Sequence, residues 1–190
     1  MEKSGLIYTI GYGNLKFDKF LDLINKFNVD YVIDVRSKPF SRFNPDFRRE
    51  NLEILLNNQK IKYVFMGNIL GGIPNSSEFL DKDGHIDYIK YGKSINFQTG
   101  ISRLIKAVQK KCIIALLCSE SLPEKCHRSK LIGKILLHDF NISTNHILHN
   151  WEVASQLKLE NQFFKKQEQC LFAEHSNDFD KSLKTYNFSG

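Results

Sequence analysis

The sequence predicts an α/β fold, a mostly parallel sheet flanked by helices on both faces. Three observations predict it. Short apolar runs alternate with segments of helical period from Leu6 to Leu148. The run Ile113-Ile114-Ala115-Leu116-Leu117 is apolar throughout, as suits a buried strand. Glycines or ionisable residues follow most of the runs, and a parallel sheet gathers such loops on one edge. Together these describe a Rossmann-like three-layer sandwich. Residues 1–150 are expected to form a single α/β domain. Residues 151–190 are expected to add a C-terminal helix and tail, packed on that domain or extending from it.

In chain order, Leu6–Ile10 reads as the first strand and ends in Gly11-Tyr12-Gly13-Asn14. Asn14 is placed to cap a helix whose inward stripe is Phe17, Phe20, Leu21, Ile24 and Phe27. Asp30–Arg36 is the second strand, followed by a basic and aromatic loop, Ser37–Phe43. Asn44-Pro45 has the form of a helix start, with Leu52, Leu55 and Leu56 as its packing face. Ile61–Phe65 is the third strand, and Gly67–Pro74 its glycine-rich loop. Residues 75–93 are polar and read as an insertion or lid with a short helix near Ile86–Tyr91. A helix over Ile95–Val108 leads to the fourth strand, Cys112–Leu117. A further helix carries Leu131, Ile132, Ile135 and Leu136 inward, and Ile142–Leu148 is the last strand. Trp151–Gln169 reads as a long helix, and the tail from Cys170 has no clear period.

Composition bounds the partners. The chain has 190 residues, 42% hydrophobic and 25% charged, long enough for a substantial core. No apolar run approaches the roughly 18 residues of a membrane span, so no membrane partner is expected. Met1-Glu2-Lys3-Ser4-Gly5 lacks the regions of a signal peptide, and four cysteines are too few for a disulfide framework. Both point to a reducing cytoplasm. The net charge is +6 and uneven: residues 151–190 hold five Lys and six Asp or Glu, the rest 22 basic and 15 acidic residues. A basic body favours anionic partners: a phosphorylated small molecule, a nucleotide or a nucleic acid. Nothing in the sequence names a cofactor, and an oligomer stays open.

Four loops are expected on the carboxyl edge: Gly11–Asn14, Asp34–Arg42, Gly67–Pro74 and Cys118–Arg128. Gly11, Tyr12, Gly71 and Gly72 would bring backbone close to a ligand, although the spaced glycines of a dinucleotide site are absent. Arg36 and Arg128 would supply fixed positive charge for an anion, beside Cys118. Asp34 would orient Arg36 or simply pair with it. Ser121 and Glu124 have capping-box spacing, which would start a helix near Leu122. Cys126, His127 and Arg128 would then lie near a helix N-terminus, where a thiol becomes nucleophilic.

The catalytic candidates are therefore Asp34, Glu120, Cys126 and His127. For Cys126 the roles of nucleophile, packing residue and metal ligand stay open. For Cys118 a plain buried residue is at least as good a reading. A zinc site from Cys118, Cys126 and His127 ranks low, because the spacing is not CxxC and no fourth ligand is evident. No metal ligand is therefore assigned. His146 and His149 read as structural, with His149 close enough to the same edge to note.

These residues also resemble a known family. Tyr8-Thr9-Ile10-Gly11, Ile33-Asp34-Val35-Arg36-Ser37 with Pro39, Tyr63, Leu70-Gly71-Gly72, and Leu117-Cys118-Ser119-Glu120 with Pro123 and the Cys126-His127-Arg128 motif occur in its order. The family is DUF488, a bacterial and archaeal domain-of-unknown-function family that includes the YeaO-like proteins. The resemblance spans roughly residues 6–148 and implies a single α/β domain, without an activity. The family commonly has a histidine after Thr-Ile-Gly, where this chain has Tyr12, so any acid–base group at that position is missing here.

The leading expectation is an enzyme acting on an anionic substrate at the carboxyl edge of the sheet. The alternatives are a non-catalytic nucleic-acid-binding module built on the basic loop Arg36–Arg49, and a Cys/His metal or redox sensor.

Overall fold

A computed structural model describes residues 4–168 and 179–188. The chain runs from β1 (Leu6–Gly11) through α1 (Phe17–Lys26), β2 (Tyr31–Asp34), α2 (Arg49–Asn58) and β3 (Lys62–Phe65). A short α3 (Gly67–Leu70), β4 (His85–Asp87), α4 (Tyr88–Gly92) and α5 (Ile95–Gln109) lead to β5 (Ile113–Cys118). A π-helical turn, Arg128–Gly133, continues into α6 (Lys134–Phe140). There follow β6 (Thr144–Ile147), β7 (Val153–Ser155), α7 (Gln156–Glu168) and β8 (Lys181–Thr185).

The main sheet has the order β3-β2-β5-β1-β6-β7. All its pairings are parallel except β7, which runs antiparallel to β6. The layers are those of the expected α/β sandwich. The strand order departs from the doubly wound nucleotide-binding order, because β5 lies between β1 and β2.

The pleat of β5 explains the two faces. Ile113, Ala115 and Leu117 pack with Phe17, Phe20 and Ile24 of α1 and Leu52 and Leu56 of α2. Ile114 and Leu116 pack with Leu70, Tyr91, Phe97, Ile101, Leu104 and Leu136, from α3 to α6. With both faces covered, every position from Ile113 to Cys118 is buried. The loops after β1 and β2 therefore lead to the α1–α2 face, whereas the loop after β5 leads to α6 on the other. Loops that part in this way open a crevice at the strand ends, and Cys118 stands at that point.

Several local expectations are corrected. Asn14 does not cap α1; the preceding residue is Lys16, without a side-chain cap. The amide of Asn44 instead donates to the Leu15 carbonyl at 2.6 Å, and Pro45–Phe47 is a 3-10 turn before α2. The capping box is not formed. Pro123–Lys125 is an isolated 3-10 turn, Cys126 is extended, and the helix starts only at Arg128. Three of the expected helical residues after Trp151, Val153, Ala154 and Ser155, form edge strand β7 instead. Leu157 and Phe164 of α7 are apolar but exposed. Lys181–Thr185 of the tail pairs antiparallel with β4. The expected end of the long helix at Gln169 and the start of the tail at Cys170 lie outside the described residues.

Candidate functional site

Two constellations form at the carboxyl edge, on opposite faces of the sheet. The first surrounds Asp34 at the end of β2. Its carboxylate accepts from Arg36 twice, Nε to Oδ1 at 2.8 Å and Nη2 to Oδ2 at 2.6 Å. It also accepts the Tyr63 hydroxyl at 2.7 Å and the Arg36 backbone N–H at 3.1 Å. Arg36 Nη1 donates to the Phe47 carbonyl at 2.7 Å, and the guanidinium lies beside Tyr12, which stacks on Phe47. Burial alone would lower the Arg36 pKa, but bonding to Asp34 outweighs it and raises the pKa. Burial, then Asp34, pushes the Tyr63 phenol up. Asp34 is wholly enclosed and Arg36 nearly so. The geometry is that of a buried bidentate pair holding β2, β3 and the following loop together.

The second constellation is Cys118, Cys126 and His127. Strand β5 delivers Cys118, and the extended residue before the π-helical turn delivers Cys126. His127 Nδ1 lies 3.9 Å from Cys118 Sγ and 3.7 Å from Cys126 Sγ. All three ligand atoms fall within 4.8 Å of one another, and all three residues are buried. His127 Nε2 lies 3.1 Å from the Val35 carbonyl, which has only lone pairs to offer. Nε2 therefore carries a proton, and Nδ1 is the nitrogen turned toward the sulfurs. The two thiols divide unequally. A hydrogen bond from Cys126, with His127 and Arg128 assisting against burial, holds the Cys118 thiol well below the ordinary range. Burial and Cys118 push the Cys126 thiol up. Of the two, Cys118 is the thiol that ionises more readily.

The sulfur cluster opens into a pocket of about 260 Å³. Lys38, Lys125 and Lys184 line it, with Glu120, Gly72 and Tyr88. None of these lysines makes an ion pair among the described residues. A larger cavity of about 1080 Å³ lies across Glu120, lined by Tyr12, Ser41, Phe43 and His149, and contains neither sulfur nor the three lysines. The cysteines and the three lysines come together in the smaller one.

Arg128 is fully buried and binds the loop that carries Glu120. Its Nη1 donates to the Glu120 carbonyl and its Nη2 to the Ser121 carbonyl at 2.9 Å. Gly11 makes room for this: a Cβ there would collide with the Glu120 carbonyl oxygen. The Gly11 carbonyl accepts from His149 Nε2 at 2.7 Å, and the Gly71 carbonyl accepts from the Tyr91 hydroxyl at 3.0 Å.

Of the expected site residues, Cys118, Cys126, His127 and Gly72 are thus brought together, with Glu120 on the same pocket. Asp34 and Tyr12 belong to the other face, and Arg36, whose guanidinium is bonded to Asp34, also lines the sulfur pocket. Gly11 and Arg128 sit behind the loop between β5 and its helix. Sequence reasoning missed the Val35 carbonyl, which has no side-chain signal, and the wall supplied by Ser182, Leu183, Lys184 and Tyr186.

This is an α/β sandwich with a buried Cys/His cluster at its carboxyl edge. The family model described as "Domain of unknown function DUF488" matches residues 16–135, and the chain belongs to that family. No curated protein and no solved structure matches the chain. No helix among the described residues is long and apolar enough to cross a membrane.

Proposed function

We propose that the chain is an enzyme for an anionic substrate, with Cys118, Cys126 and His127 as its reaction centre. One observation carries this reading: the cluster forms the floor of a pocket whose walls hold three lysines that make no ion pair among the described residues. Lys38, Lys125 and Lys184 take the phosphate or carboxylate of the substrate, in place of Arg36 and Arg128, whose guanidiniums already bind protein oxygens. Glu120 carries protons at the pocket mouth. Free thiols at Cys112, Cys118 and Cys126 suit a reducing, cytoplasmic setting.

The test is binding of phosphate, AMP and pyrophosphate to the wild type and to Lys38→Ala, Lys125→Ala and Lys184→Ala. Each lysine that meets the anion should contribute about 1.5–3 kcal/mol, at least a tenfold loss in affinity when removed. Equal affinity in all three folded variants would end this reading.

A second reading concerns the class of anion. Phe43 is 93% exposed and Phe40 is 65% exposed. Arg42 lies over the Phe43 ring, at 5.9 Å, and Arg48 over the Phe40 ring, at 4.8 Å. Exposed rings interleaved with arginines are a platform for single-stranded nucleic acid. A labelled oligothymidine should bind with steep salt dependence and lose about 1–3 kcal/mol in Phe43→Ala. No binding at low salt would remove nucleic acid as the substrate class.

A further inference from the structure

The geometry points to a metal centre: Cys118, Cys126 and His127 hold a zinc-class divalent ion whose fourth position faces the pocket. This deepens the reading of the same site as a reaction centre by naming its cofactor.

Tetrahedral zinc with bonds of about 2.3 Å to sulfur and 2.0–2.1 Å to nitrogen sets its ligand atoms about 3.5–3.8 Å apart. The sulfur-to-nitrogen separations in this cluster are 3.7 and 3.9 Å. Both sulfur-to-nitrogen separations are therefore within a few tenths of an ångström of what one ion requires, and with all three atoms within 4.8 Å of one another the two sulfurs need approach by about 1 Å at most. The donors are also of the right kind: soft thiolate and imidazole select zinc among the common divalent ions, whereas magnesium and calcium need oxygen.

The imidazole is prepared for this role. Its Nε2–H donates to the Val35 carbonyl, so Nδ1, beside the sulfurs, is the nitrogen left to bind an ion. A backbone carbonyl in that position is the usual partner of a metal-bound histidine. Gly72 lies close against the same ring, near Nδ1 and Cγ. Both supports come from strands or loops other than the one carrying His127.

No fourth Cys, His, Asp or Glu joins the three among the described residues. A purely structural zinc site closes with four protein ligands; three ligands and an open position characterise catalytic sites. Here the open side is the lysine-lined pocket. Two thiolates balance a dication, so the centre repels neither an anionic substrate nor the lysines around it. When bound, such an ion acts as a Lewis acid on a substrate oxygen or a water molecule. The chain's own residues then bind the anion through lysine and carry protons through Glu120.

The test uses the full chain purified without chelator, with zinc measured by elemental analysis and cobalt(II) titrated into the stripped protein. We expect about one zinc per chain and, with cobalt, a thiolate-to-metal charge-transfer band plus the intense visible bands of tetrahedral coordination. Cys118→Ser, Cys126→Ser and His127→Gln should each weaken zinc by roughly a hundredfold or more against a competing chelator. Should a variant not fold, alkylation of the wild type decides. Zinc should shield Cys118 and Cys126 from iodoacetamide while leaving Cys112 unaffected. A stripped protein that takes up no cobalt, with Cys118 alkylated equally with and without zinc, overturns the metal centre. The lysine variants above then report on the anion pocket separately: loss of anion affinity with no metal retains the enzyme reading, and metal without anion binding retains only the metal centre.

Discussion

Gly72 packs against the ring of His127: a Cβ at residue 72 would stand 2.7 Å from Nδ1 and 2.8 Å from Cγ. The ring has nowhere to retreat, because its Nε2 is held by Val35. The backbone of residue 72 is not in the left-handed region, so alanine is acceptable to the chain itself. Gly72→Ala should therefore leave the fold in place and displace the imidazole. We expect zinc affinity to fall about 10–100-fold, as when an outer support of a ligand is lost, read by chelator competition with unchanged far-ultraviolet dichroism.

Asp34 and Arg36 make a testable contrast with the sulfur cluster. Asp34→Asn leaves the Arg36 guanidinium buried without its counter-charge and should cost about 3–5 kcal/mol in urea unfolding. Tyr63→Phe removes one hydrogen bond to the same carboxylate and should cost about 1–2 kcal/mol. Metal content should be unchanged in both. A variant that stays fully stable yet loses anion binding would restore Arg36 as a ligand of the substrate.

His146 supplies a pH dependence. It is buried between the Thr9 hydroxyl at 2.7 Å and Gln156 Oε1 at 2.9 Å. Burial, with Arg128 adding, lowers its pKa to about 3 from 6.5. The unfolded state thus binds a proton below pH 6.5 that the folded state refuses until about pH 3. Its contribution to stability is complete above pH 6.5 and is lost as pH falls across that window, at up to about 1.4 kcal/mol per pH unit. Urea midpoints between pH 7 and 4 should decline, and His146→Asn, although less stable at pH 7, should decline less steeply.

The unequal thiols predict which sulfur reacts. In protein stripped of metal, iodoacetamide should modify Cys118 before Cys126, and the rate should persist at pH values where an ordinary cysteine has become a thiol. Peptide mapping after brief alkylation checks the order. Preferential modification of Cys126 would reverse the assignment.

The sheet was legible because its strands declare themselves locally. Ile113 to Leu117 is apolar at every position, and burial on both faces is what that pattern requires. Val153–Ser155 is too short to carry a period, and it becomes a strand only by pairing with β6. Lys181–Thr185 likewise depends on β4, nearly a hundred residues earlier. At the site, the residue types at Cys118, Cys126 and His127 were visible, but their convergence needed the extended backbone at Cys126, which the apparent capping box disguised. Arg36 and Arg128 are ambiguous for a different reason. A guanidinium bound to its own protein and one awaiting an anion are the same letter in a sequence.

The wall formed by Ser182, Leu183, Lys184 and Tyr186 has an evolutionary consequence. The family match ends at residue 135, so it contains both cysteines and His127 but not this wall. Part of the pocket wall is therefore encoded outside the stretch that defines the family, and under the proposed reading exchange of the segment after residue 178 is expected to change which anion the pocket accepts.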